Sequence, residues 1–164
     1  MIHRLRQAGV LVAGRLGPTT PDAVVAAPRT ARLFAALAAY DRRHLVAVHL
    51  ACVDAGLSAD IAAAGLIHDI GKSSLSGRQV SLVDRGLRVV LSGLRRDTSP
   101  RVVREPVTGW RLGLALAARH AEIGAARLAA LGWPDSVVAA VRDHESSDAV
   151  GELATLLAID HATV

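Results

Sequence analysis

Two pairs of histidines constrain this chain more than any other feature. His44 and His68 are 24 residues apart, and so are His120 and His144. Each interval runs through one segment with helical apolar periodicity, a glycine-containing turn, and a second such segment. An α-helix rises about 1.5 Å per residue, so equal runs up and down return to the same level. Each pair is therefore predicted to sit side by side in a helical hairpin. Two hairpins packed face to face would gather four imidazoles around one cavity.

The rest of the 164-residue chain reads as one all-α domain. Helices are expected over 30–39, from an Asp41 cap to Ala55 with a stop at Gly56, and from a Ser58 cap to Asp69 with an end at Gly71. Further helices are expected over 79–96, 110–131 with a stop at Gly132, from Pro134-Asp135 to Glu145, and from Ala149 to the C-terminus. Residues 1–28 read as an N-terminal extension that carries a short amphipathic helix and then a break at Gly17–Pro21. No segment outweighs these as a strand. The side chains are 51% hydrophobic but only 2% aromatic, a mix that suits close helix packing and not a β-sandwich. No run of about 18 uninterrupted apolar residues exists, so no membrane span is expected. Cys52 stands alone, which excludes an internal disulfide and fits a reducing cytoplasm.

Between the two hairpins lies the run His68-Asp69-Ile70-Gly71, followed by Lys72, the only lysine in the chain. An adjacent imidazole and carboxylate at a helix end can serve one metal site, and a carboxylate can also bridge two. Asp160 follows the apolar run Leu156-Leu157-Ala158-Ile159, so its charge would be costly to bury unless paired or bound to a cation. His44, His68, Asp69, His120, His144 and Asp160 are thus predicted to form one metal centre, of one ion or two. Gly71 is expected to turn the chain away beside it and to leave Lys72 projecting nearby, where an ammonium suits a phosphate oxygen. His3, His49 and His161 read as structural.

These residues resemble the HD-domain superfamily of metal-dependent phosphohydrolases. The likeness runs over roughly 30–162, through Arg43-His44, the segment Ala62–Lys72 with its His68-Asp69, the stretch His120-Ala121-Glu122-Ile123-Gly124-Ala125, His144-Glu145, and Asp160. The second signature is similar to the HD-GYP branch, though Asp143 replaces a histidine and no Gly-Tyr-Pro follows. The resemblance implies an HD-type helical bundle of about six to eight helices. It implies a first metal on His44, His68, Asp69 and Asp160. It implies a second on His120 and His144, with Asp69 bridging. Two divalent transition metals, iron or manganese, suit such mixed nitrogen and oxygen donors. The long gap from Asp69 to His120 implies an insertion over 77–106, with Arg78, Arg95, Arg96 and Arg101 as candidates for phosphate contact.

The implied activity is hydrolysis of a phosphate ester or anhydride, most plausibly of a nucleotide or dinucleotide. Asp69 and Lys72 would be its catalytic residues, and Glu122 and Glu145 candidate proton relays. Some HD-fold proteins with this ligand order are instead diiron oxygenases, and a degenerate domain would only sense a nucleotide or bind a partner. The net charge of +4 favours a phosphorylated small molecule. The basic residues are scattered apart from Arg42-Arg43 and Arg95-Arg96, so a nucleic-acid surface is not expected. Stacking partners for a base are few: Phe34, Tyr40, Trp110 and Trp133.

Overall fold

A computed structural model describes residues 28–73, residue 80 and residues 110–163. Among them the architecture is all-α. The helices are α1 (Pro28–Ala35), α2 (Ala39–Asp54), α3 (Ala59–Ile67), α4 (Trp110–Ala130), α5 (Asp135–Asp143) and α6 (Gly151–Ala162), with a 3-10 turn at Ile70–Lys72 between α3 and α4. The helix expected over 79–96, the insertion with its four arginines, and the N-terminal extension lie outside the described residues.

α3 is the central element and packs against α2, α5 and α6. Its composition explains the position. Ala62, Ala64, Gly65, Leu66 and Ile67 are all buried, so the helix is apolar nearly all round. Gly65 sets how close its neighbours come. A methyl group there would stand 3.2–3.3 Å from Cys52 Sγ and Val48 Cγ1 on α2 and from Leu156 Cδ1 on α6. Around this helix the core is filled by Phe34, Leu37, Leu45, Val48, Leu128, Val137 and Val141. Cys52 is buried and free, as a small apolar filler.

The turns behave as expected at Gly56 and Gly132, which take left-handed φ of 68° and 78° after α2 and α4. Two caps differ from expectation. α2 starts at Ala39, so Asp41 lies buried inside its first turn and does not cap it. Ser58 does occupy the N-cap of α3, but its hydroxyl and amide both go to the Glu152 carboxylate on α6, at 2.5 and 3.1 Å. Those bonds tie α3 to α6. α1 ends early, at Ala35, and Arg42 reaches back to donate to the carbonyls of Ala35 and Leu37 at 3.2 and 2.5 Å. Trp133 packs on the core and donates its indole N–H to Thr30 Oγ1 (3.0 Å), an anchor for α1 and not a stacking platform for a base. No helix among the described residues is long and apolar enough to cross a membrane.

Candidate metal centre

The six predicted ligands come together from five elements. His44 projects from the middle of α2, His68 and Asp69 from the end of α3, His120 from α4, His144 from the end of α5, and Asp160 from α6. The imidazoles form a continuous chain. Ring centroids are 5.8 Å apart for His44 and His68, 4.8 Å for His68 and His144, and 5.1 Å for His120 and His144. Both hairpins therefore close as the 24-residue spacings predict. The donor atoms fall into two groups that could each hold an ion. One contains His44, His68 and Asp69, the other Asp69, His120 and His144.

Asp69 belongs to both groups. Its Oδ1 lies 3.2 Å from His120 Nε2 and 3.9 Å from His144 Nε2, and its Oδ2 lies 3.8 Å from His68 Nε2. Asp160 serves the first group alone, with Oδ1 2.7 Å from His44 Nε2 and 3.2 Å from His68 Nε2. Lys72 places its ammonium on Asp69 Oδ2.

Three of the four histidines are oriented in the same way. Nδ1–H of His68 donates to Gly65 O (3.0 Å), that of His120 to Ala117 O (3.1 Å), and that of His144 to Val141 O (2.7 Å). Each acceptor is the carbonyl three residues earlier. At the ends of α3 and α5 such carbonyls belong to the last turn, where the helix supplies no partner of its own. In α4 the helix is irregular at the same place, with Arg119 at non-helical angles (φ −128°, ψ 18°) immediately before His120. A carbonyl only accepts, so Nδ1 of all three rings carries the hydrogen and Nε2 of the neutral ring presents a bare lone pair to the centre. His44 is the exception, since its buried Nδ1 has no hydrogen-bond partner.

With both rings neutral, this orientation is self-opposed. Nε2 of His120 and Nε2 of His144 face each other at 3.2 Å. Two neutral rings would bring lone pair against lone pair there, which a shared cation relieves. Two nitrogens bound at about 2.1 Å to one ion, at tetrahedral to octahedral angles, stand roughly 3.0–3.4 Å apart. The donor set therefore fits a metal ion.

The electrostatics point the same way. Burial would raise the Asp69 carboxyl, but Lys72, His68 and His120 hold it well below the usual carboxylate range. Burial likewise opposes ionisation of Asp160, yet its bonds to His44 and His68 pull it far down. Burial, reinforced by the charge of His68, lowers His144 to about 4. His68 moves the other way. Burial pulls it down, but Asp69 and Asp160 outweigh that and raise it. Both carboxylates and His144 thus stand deprotonated near neutral pH, the state that metal binding requires.

The two candidate relays separate. Glu145 stands at the mouth, 42% exposed, with Oε1 3.9 Å from His120 Nε2. Glu122 instead accepts from Arg119 Nε at 2.5 Å on the outer face of α4 and is not part of the centre. His49 is structural as expected, its ring bonded to Ala62 O at 2.8 Å.

Two features are not apparent from the sequence. Gly71 sits in the 3-10 turn without a positive φ, so the turn there does not draw on glycine's conformational freedom. A Cβ on it would lie 2.0 Å from His120 O and 2.8 Å from Gly124 N, and this contact seats the 3-10 turn directly on the α4 backbone. Arg127 donates to Ile70 O (3.2 Å) and Ser73 O (2.7 Å). Its signal was its place seven residues after His120, two helical turns along the same face. No family model, curated protein or solved structure matches this chain, so a functional reading rests on the chemistry of the centre itself.

Proposed function

We propose that this chain is a metal-dependent phosphohydrolase that cleaves a phosphate ester or anhydride, most plausibly of a nucleotide. The observation that carries the reading is the pair of bare Nε2 atoms of His120 and His144, 3.2 Å apart and both directed at Asp69. His44, His68, Asp69 and Asp160 would hold a first ion, and Asp69, His120 and His144 a second. Iron or manganese suits donors of this mixed kind. Bound there, the ions would supply an acidified water and neutralise phosphate charge.

The chain's own groups have separate tasks. Asp69 spans both halves and fixes their separation. The carbonyls of Gly65, Ala117 and Val141 hold three imidazoles in the ligand tautomer. Lys72, with its side chain only 18% exposed, is close enough to Asp69 to give its ammonium to a non-bridging phosphoryl oxygen as charge develops on it. Glu145, at the rim beside His120, is placed to pass a proton between the leaving oxygen and solvent.

The first test is metal content per chain on protein purified without oxygen from iron- and manganese-supplemented cells, followed by a screen of nucleotide phosphates. Close to two ions with phosphate release supports the reading. Two ions with oxygen consumption and no phosphate release would replace it with an HD-type oxygenase. No metal in a folded sample would leave a sensor or interaction module. His144→Ala is expected to lower the content from two ions to one, because it removes a ligand of the second group only. Lys72→Ala is expected to keep both ions and lose on the order of 100-fold in kcat, the scale of removing one preorganised donor to a developing charge. Unchanged turnover in that variant would remove Lys72 from the mechanism.

A further inference from the structure

The turn that carries Asp69 and Lys72 rests on one stripe of α4. His120, Gly124 and Arg127 follow one another at four and three residues, so they share a face of the helix. Each reads a different part of the turn. His120 Nε2 meets Asp69 Oδ1 at 3.2 Å. Gly124 lies against Gly71, which has no side chain to hold it off. Arg127 Nη1 takes the carbonyls of Ile70 and Ser73, which bracket Lys72 at 3.2 and 2.7 Å. The Lys72 main chain is fixed on both sides as well, with its N–H on Asp69 O (2.9 Å) and its carbonyl accepting from Val80 N (3.0 Å).

We infer that Arg127 is a positioning residue for Lys72, and through it for the phosphoryl group of the substrate. A guanidinium is costly to desolvate, and burial lowers that of Arg127 from its ordinary value. Its hydrogen bonds nevertheless go to main-chain carbonyls on either side of the sole lysine. Rotation of this turn swings the Lys72 ammonium, whereas Asp69 stands ahead of the turn, at the end of α3. Loss of Arg127 therefore loosens Lys72 more than it loosens the metal ligands. The inference rests on the phosphohydrolase reading for the substrate's part in it, and on geometry alone for the positioning of Lys72.

Two measurements test it, on wild-type protein, R127M, R127K, K72M and the double variant R127M/K72M. The first is the affinity of the metal-loaded protein for inorganic phosphate, with metal content checked in every sample. R127M is expected to keep its metal and to weaken phosphate roughly tenfold, the scale of losing a charged hydrogen bond. In the K72M background the same change is expected to cost less than about twofold, because Arg127 acts through Lys72. R127K, which restores a donor, is expected to recover part of the loss. An equal loss in both backgrounds, or loss of metal in R127M and R127K alike, would overturn the inference.

The second measurement is the rate at which an amine-acylating reagent modifies Lys72 in metal-free protein, with the N-terminal amine as internal reference. Since no other lysine competes, the peptide carrying Lys72 reports one side chain. R127M is expected to accelerate it roughly tenfold, and an unchanged rate would overturn the inference. If wild-type metal-loaded protein fails to bind phosphate, the hydrolase reading falls. The acylation rate still decides whether Arg127 positions Lys72.

Discussion

Asp69→Asn is expected to leave the folded chain unable to hold either ion, and so to abolish turnover. The substitution keeps the shape of the side chain and removes the one carboxylate shared by both donor groups. Removing an outer partner of a metal ligand costs about 10- to 100-fold in affinity, so losing a bridging ligand should exceed that at each position. Fold stability should suffer less. Some cost is expected, because the buried carboxylate is held ionised by Lys72, His68 and His120, but an amide oxygen can still accept from Lys72.

Asp160→Asn supplies the contrast. Its carboxylate meets His44 and His68, so one ion should be lost and the one on His120, His144 and Asp69 retained. Metal analysis of the two purified variants checks both outcomes. Two ions in Asp69→Asn would refute the bridging role, and equal losses in the two variants would refute the division into halves.

The legible part of this centre is the part set by helical spacing. Equal intervals of 24 residues put His44 beside His68 and His120 beside His144, since in each case the chain climbs one helix and descends the next. Asp160 was legible from energetics, as a charge at the end of an apolar run that needs a partner when it turns inward. What spacing did not carry is how the two hairpins dock. That depends on a three-residue 3-10 turn, too short to leave a periodic signature, and on the meeting of Gly71 with Gly124. The caps failed for a related reason. Asp41 and Ser58 have the right chemistry for local caps, but α2 starts two residues before Asp41, and Ser58 is claimed by Glu152 across the bundle. At Ser58 a tertiary partner displaces the local one, and at Asp41 the helix start itself has shifted. The orientation of the imidazoles by the carbonyl three residues back was also hidden, because it requires a helix end or a kink at each histidine, and the kink at Arg119 has no proline or glycine to announce it.

Gly71→Ala is expected to be the most damaging glycine-to-alanine change among the described residues. The added Cβ would lie 2.0 Å from His120 O and 2.8 Å from Gly124 N, both of them main-chain atoms of α4 that no side-chain rotation can move. Relief requires the 3-10 turn to lift off the helix. That would draw Asp69 away from His120, break the two hydrogen bonds from Arg127 to the turn, and open the seam between the two donor groups. Overpacking a core side chain costs about 1–3 kcal/mol, and a clash between two backbones should exceed the top of that range. Gly56→Ala is the matched control. There the cost is conformational, since φ is +68° but nothing lies within 4 Å of a new Cβ, and about 1–2 kcal/mol is expected. Denaturant unfolding of the two metal-free variants orders these costs, and metal analysis adds what stability alone does not. Gly56→Ala should bind metal as wild type does. In Gly71→Ala, the ion on His44, His68, Asp69 and Asp160 should outlast the one that needs Asp69 and His120 together, because the first set of ligands lies on α2, α6 and the end of α3, and none of it on the α4 contact that is lifted. A Gly71→Ala protein with full stability and both ions would mean that the turn does not need its seat on α4 to build the centre.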